Sequence, residues 1–534
     1  MGCATRWTRA CAPIERATAP ARSLIRIVER PARALVLLLA LAIACQPVAP
    51  GPPRASSAPP SPSAKVVVGG TLRIALATDA GPLDPLAPDA NTLVVGQVFE
   101  GLVAAGANGA RPRLAKKWRV APDGRTWTFT LRAGVVFHDG VPLDARAAAR
   151  SLSRRANDPL IESASADADG ALVVVTRMPF GPFLSALAAR PYAIVSPGSP
   201  TTGTGPFRAR PAAGAAPLVL ERNDRYWRTD GSGQRLPYLD ALSFTTIADP
   251  AARLAALRSG AADVAFDLAL SDVTALRADP SLQLVPQAPA TVLYLGLNLS
   301  RPPLDDLRVR QAIASAVNAR TLVDRLYAGE GRPASQFPPP TMLGSDDSVT
   351  EFAKTDSGAA KRLLVDAGHP SFEIELWYLL GAPSTQPDMR RVAESVAADL
   401  AAVGISAEPK TIDAVTFASN VRNNRYPMWL ATATPVPPDP DVLLGAFFNP
   451  PTTDGQDQPT EGGAWVNREV AGLLRKAFVE TDETKRAELY KQVSKIVQRE
   501  IPRIPLVWSA PPVGASRKLQ NAAGEFFAET ALGK

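Results

Sequence analysis

Cysteine is nearly absent from this chain. The 534 residues hold three, Cys3, Cys11 and Cys45. None lies in Gln46–Lys534, so that stretch can form neither a disulfide nor a thiolate site. Histidine is scarcer still: His138 and His369 stand alone, with no cysteine near either. That excludes the usual nitrogen- and sulfur-rich metal centre. After Cys45, no apolar run reaches the roughly 20 residues that a membrane-spanning helix takes. The chain has no Gly-x-Ser-x-Gly nucleophile elbow. Gly203–Phe207 lacks the Lys and the length of a phosphate loop. It is read as a crossing between lobes. Asp305-Asp306 and Asp346-Asp347 are adjacent acids, and adjacent residues on a helix do not face each other. They make a poor acid/base pair, and Asp305-Asp306 reads better as a helix cap. A secreted hydrolase therefore has little to stand on.

The most telling feature present is Cys45. It closes an apolar run of eleven residues, Ala34–Ala44. Seven arginines precede the run, from Arg6 to Arg33. A basic head, a short apolar middle and small residues before a break describe an export signal. Ala44-Cys45 fits the box at which a bacterial lipoprotein signal is cut and its new N-terminal Cys acylated. Residues 1–44 are thus expected to be a lipoprotein signal. Residues 45–65, rich in Pro, Ser and Ala, are a flexible tether. Cys45 is the lipidation site, tying the protein to a membrane in the periplasm or at the cell surface.

The signal also accounts for the charge. The whole chain carries a formal +7, yet seven of its 58 basic residues and only two of its 51 acidic ones lie in the first 44. What remains is close to neutral, so no nucleic-acid partner is expected. About 490 residues follow Ala44, more than one core accommodates, and two lobes are expected.

Trp127, Phe129 and Leu131 alternate with Thr128, Thr130 and Arg132, which predicts a half-buried strand. Order is expected to begin near Lys65, with a first strand over Leu72–Leu76. Val309, Ile313 and Val317 follow Asp305-Asp306 at helical spacing. Val392, Val396 and Leu400 predict a helix over Arg391–Val403, and Leu489, Val493 and Val497 one over Thr484–Arg499. Thr291–Leu299 reads as a strand with Tyr294, Gly296 and Asn298 on one face. Strands alternating with helices give an α/β fold class.

Collinear blocks then carry a resemblance. They include Gly70–Arg73, Leu83-Asp84-Pro85, Phe99–Val103, Asp123–Arg132 and Val136–Gly140. Gly203–Phe207, Glu221–Trp227, Ser259–Val264, Pro303–Ile313 and Ala359–Gly368 follow in order. From about Gly70 to Trp508 the chain resembles the solute-binding proteins of the bacterial peptide/nickel import family. The resemblance implies a two-lobed, hinge-connected fold of the periplasmic-binding-protein kind, type II, with an extra subdomain. Lobe I would cover 66–288 with an inserted subdomain at about 116–200. Lobe II would cover 289–500, and 501–534 would return to lobe I. Crossings would lie near Pro286–Leu293 and Pro502–Pro512. The implied role is an extracytoplasmic receptor, with permease and ATPase subunits of an ABC importer as partners. It implies a monomer, no cofactor and no catalysis. A surface sensor or scaffold is the alternative class.

For the ligand, the resemblance points to Met428–Asp441. Relatives carry Trp and then an Asp-x-x-Asp-Pro stretch, whose first Asp pairs with a peptide's free ammonium. Here Trp429 and Asp439-Pro440 are kept, but Val436 stands where that Asp belongs. Two ligand readings follow. One is an uncharged solute such as an oligosaccharide, stacked on Trp429 and held by Thr432 or Thr434, with Tyr294 and Asn298 contributing. The other is a peptide whose ammonium pairs with another acid, Asp84.

Overall fold

The computed structural model describes residues 67–532, save 107–108, 211–216, 351–353, 450–451, 454–455, 458–462 and 523–526. The signal, the tether and Cys45 lie outside the described residues. The first strand is Thr71–Leu76.

Three sheets carry the fold. Strand Thr71–Leu76 sits centrally in a seven-stranded sheet, parallel to Ala241–Thr246 on one side and to Val264–Ala265 on the other. Its apolar side chains Leu72, Ile74 and Leu76 are buried in one core with Val98, Phe99 and Phe244. A six-stranded sheet is centred on Thr291–Leu297 and Met428–Ala433, which pair antiparallel. A four-stranded antiparallel sheet holds Ala115–Val120, Thr126–Leu131, Leu172–Thr176 and Ile161–Ala166. Its core includes Trp127 and Phe129 from the predicted strand, and Phe183 lies 5.2 Å from Trp127, ring to ring.

Aspartate caps set the helix starts. Asp306 caps Leu307–Ala316, Asp388 caps Met389–Ala401 and Asp482 caps Glu483–Glu500, each carboxylate accepting a first-turn N–H. The first two helices bury Val309, Ile313, Val392, Val396 and Leu400 against one face of the six-stranded sheet. Glu483–Glu500 packs Tyr490, Val493 and Val497 against the other. Arg310 closes the far end of this layer, since its guanidinium donates to the carbonyls of Leu304, Asp305, Glu500 and Ile501.

The chain passes between the large sheets twice. Leu282–Leu284 belongs to the seven-stranded sheet and Thr291–Leu297 to the six-stranded one. The return, after Ser509, falls at the end of the expected Pro502–Pro512 stretch. Arg503–Ser509 is a wholly buried strand beside Thr291–Leu297, so the six-stranded sheet runs past residue 500, and Gly514–Ser516 joins the seven-stranded sheet. Five consecutive apolar residues, Ile504–Trp508, suit a strand buried on both faces, and Pro505, which cannot donate to the ladder, stands at the register shift opposite Tyr294. The two crossings lie side by side: Val285 N donates to Val513 O at 2.8 Å and Ala290 N to Ser509 O at 3.0 Å. Gly203–Phe207 is no crossing between the large lobes. Gly205 N donates to Val98 O at 2.9 Å, and Phe207 opens a strand of the seven-stranded sheet.

Candidate functional site

A cavity of about 340 Å³ lies beside the first crossing, between a two-stranded hairpin, Val103–Gly106 with Gly109–Pro112, and loops that follow strands of the six-stranded sheet. The hairpin end Ala105–Gly106 forms one wall and the crossing segment Ala288–Ala290 its floor. Loops Pro339–Met342 and Pro435–Pro438 supply the opposite wall. The Pro435–Pro438 loop leaves the end of the central strand Met428–Ala433, where α/β proteins commonly place ligands, and Pro339–Met342 follows the edge strand Arg332–Pro333. Thr341 Oγ1 lies 3.4 Å from Pro289 O. Among the described residues, no carboxylate, amine, guanidinium, imidazole or thiol lines the cavity.

The expected site residues are mostly placed elsewhere. Trp429 is 1% exposed, so it offers no open stacking face. Its ring covers Gly296 on the paired strand, where any Cβ would sit 2.1 Å from the indole. Arg503 approaches from the same side, its guanidinium 5.7 Å from the indole and 4.7 Å from Phe447. Tyr294 packs against Phe447 and Phe337 at 4.9 and 6.0 Å. Asn298 is 0% exposed and lies past its strand's end. Its amide donates to Asn424 O, and its oxygen accepts from Ser300. Asp84 is ion-paired with Arg154 at 3.0 Å, so it is not a free partner for an ammonium.

Thr432 and Thr434 stand opposite Trp429 across the sheet. Side chains alternate along a strand, so positions 429 and 432 point to different faces. Thr432 is exposed, and Thr434 Oγ1 meets Thr291 Oγ1 at 2.7 Å. Trp429 and these hydroxyls therefore cannot grip one ligand together. The cavity walls were missed because Ala, Gly and Pro carry no chemical signature. Only the strand ends that launch the two loops could have pointed there.

Next to the cavity, Asp439 turns inward. Its Oδ1 accepts from Arg486 Nη2 at 2.8 Å and from Asp441 N at 2.9 Å. Its Oδ2 accepts from Ser185 Oγ at 2.7 Å. Ser185 belongs to the unit built on the four-stranded sheet, so this bond spans a seam. Three more contacts cross it. Gly181 N donates to Phe478 O at 2.7 Å, Ala110 N to Glu483 Oε1 at 2.9 Å, and Phe180 packs on Phe478. Burial pushes the Glu483 carboxyl above its usual range.

Asp441 sits beside this network, its pKa raised to about 6 by burial and by the Asp439 charge, against the pull of Arg486 and Tyr490. In the unfolded chain it ionises near 4. Raising the pH from 4 past 6 charges it in the unfolded state first, so stability falls across that window and then levels. Asp441→Asn is expected to flatten the slope, leaving the variant more stable than the native chain by up to about 3 kcal/mol at pH 7. Urea midpoints between pH 4 and 8 check this; parallel curves for both proteins would contradict it.

Two large sheets, joined by two crossings with a cavity beside them, define a binding receptor of the periplasmic-binding-protein type. The chain belongs to the bacterial extracellular solute-binding proteins, family 5, whose middle region matches residues 109–455. It is 29% identical over 436 residues to the dipeptide-binding protein of Escherichia coli K12, covering 74% of this chain and 80% of that one. It is 27% identical over 458 residues to heme-binding protein A of Haemophilus influenzae, covering 77% and 82%. Among solved structures it resembles HbpA2 from Haemophilus parasuis, with a TM-score of 0.76, 26% identity, and coverage of 87% of this chain and 100% of that one.

Proposed function

We propose that this protein captures a small peptide-like solute between two lobes and delivers it to the permease of an ATP-driven importer. The family match over residues 109–455 carries this reading. The cavity at the crossing supports it, because closing lobes there would remove both solute and wall from water. Thermodynamically, the solute has only to bind the closed form better than the open one. A wall without acid, base or nucleophile suits binding without turnover. In this reading the seven-stranded sheet with its four-stranded annex forms one lobe and the six-stranded sheet forms the other. The protein acts as a monomer, exported by its first 44 residues and anchored through an acylated Cys45 outside the cytoplasmic membrane.

An uncharged solute is the second reading, and Val436 favours it. Its side chain is 78% exposed on the cavity loop, where a peptide receptor would place an acid. The test is thermal unfolding of the purified protein against peptide and sugar libraries. A ligand that binds only the folded form raises Tm. A rise of several degrees with one chemical class supports the receptor reading. A flat response across both libraries counts against it.

A further inference from the structure

The cavity's chemistry narrows the ligand, and this step rests on the receptor reading above. We infer that the cavity takes the neutral, largely apolar end of a peptide-like solute whose amino group is blocked or cyclised.

The first reason is charge. An ammonium moved into this space would shed water and meet no charged side chain in the wall. An unpaired charge in such a place costs several kcal/mol. The acids nearby do not help. Asp439 spends both oxygens on Arg486, Asp441 N and Ser185, and is 0% exposed. Asp84 holds Arg154.

The second reason is hydrogen bonding. Four of the wall residues are prolines: Pro289, Pro339, Pro435 and Pro438. Proline has no N–H, so these positions cannot donate. Among the described residues, Thr341 brings the one side-chain hydroxyl in the wall. A sugar presents hydroxyls on every side and needs many partners, which this wall does not supply. A peptide end without charge presents methyl and methylene groups with one or two amides. Such a surface fits proline rings, alanine methyls and Met342. At about 340 Å³ the space equals the bulk volume of roughly ten waters. That is room for a terminal residue and its blocking group.

Calorimetric titration of the purified protein tests this with four probes: Ala-Phe, N-acetyl-Ala-Phe-amide, cyclo(Ala-Phe) and maltotriose. The blocked or the cyclic probe is expected to bind at least about tenfold tighter than Ala-Phe and maltotriose. Ala105→Phe and Thr341→Trp fill the cavity from opposite walls at exposed positions. Each is expected to weaken that binding roughly tenfold with Tm unchanged. Tighter binding of Ala-Phe than of its blocked form overturns the neutral site and leaves the receptor reading standing. So does tight maltotriose binding. Neutral binding that neither variant weakens places the ligand elsewhere and also overturns the inference. Silence from all four probes overturns the inference, while the receptor reading is judged separately by the library result.

Discussion

Arg486→Met is expected to destabilise the protein by about 3–5 kcal/mol, among the largest effects of any single substitution here. The Arg486 side chain is 1% exposed, and that of its partner Asp439 is 0% exposed. Placing two charges there is costly, but removing one partner is worse, because the other stays charged without water. Asp439 would keep only Ser185 Oγ and Asp441 N as donors. Asp441 would suffer too, since Arg486 is what restrains its rise in pKa. Chemical denaturation should show a lower midpoint, with Tm down by about 3–5 °C. The double variant Arg486→Met, Asp439→Leu should recover more than half of the loss, since well-packed apolar side chains can replace a buried pair. A cost below 1 kcal/mol for the single variant, or no recovery in the double, would refute this account.

Gly181→Ala should be nearly as damaging for a different reason. A Cβ at Gly181 would lie 2.2 Å from Glu480 O and 2.6 Å from Ala477 O. Both are backbone atoms on the far side of the seam, so they cannot step aside alone. The seam has to part, taking with it the Gly181–Phe478 and Ser185–Asp439 hydrogen bonds. Overpacking of this kind costs about 1–3 kcal/mol. Gly472 provides the control: it is helical, and a Cβ there meets nothing within 4 Å. Gly472→Ala should therefore be neutral or stabilise by up to about 1 kcal/mol. Equal Tm values for the two variants would show that the seam is not tightly packed.

Much of the framework was legible because its signals are local. Asp305-Asp306 before apolar periodicity marked one helix start, and periodicity alone placed the starts of two others, at Arg391 and Thr484, close to the observed Met389 and Glu483. Alternation from Trp127 to Leu131 located a real strand, since that sheet has one wet face. The same alternation also found the strand Thr291–Leu297, but there it marks no wet face, since the strand is buried throughout. There a Tyr or Asn on one face marks packing and turn chemistry, and Asn298 closes a turn instead of lining a cleft. Trp429 was misjudged through context that the sequence does not print. Its tight fit depends on Gly296 in the neighbouring strand, and that pairing joins segments more than a hundred residues apart. The cavity was harder still, since its walls come from four separated segments of small, unreactive residues.

The inward turn of Asp439 joins these observations. A carboxylate in an Asp-Pro stretch beside a Trp looks like a ligand-binding acid. In this chain it is structural, bonding the cavity loop to the helix Glu483–Glu500 and, through Ser185, to the opposite unit. What the loop leaves facing the cavity is Pro435 and Pro438. Stability and specificity thus separate along one short segment, with charge directed inward and a neutral surface toward the solute.

The central claim is that solute binding closes two lobes. With Cys3, Cys11 and Cys45 replaced, the chain has no cysteine of its own. Spin labels can then be placed at Ala168 and Ala402, both exposed, one beside the four-stranded sheet and one beside the six-stranded sheet. Pulsed electron–electron double resonance reads the distance between them. Saturating solute is predicted to shift the distribution to a shorter, narrower peak. A distribution that saturating solute leaves unchanged would contradict the account.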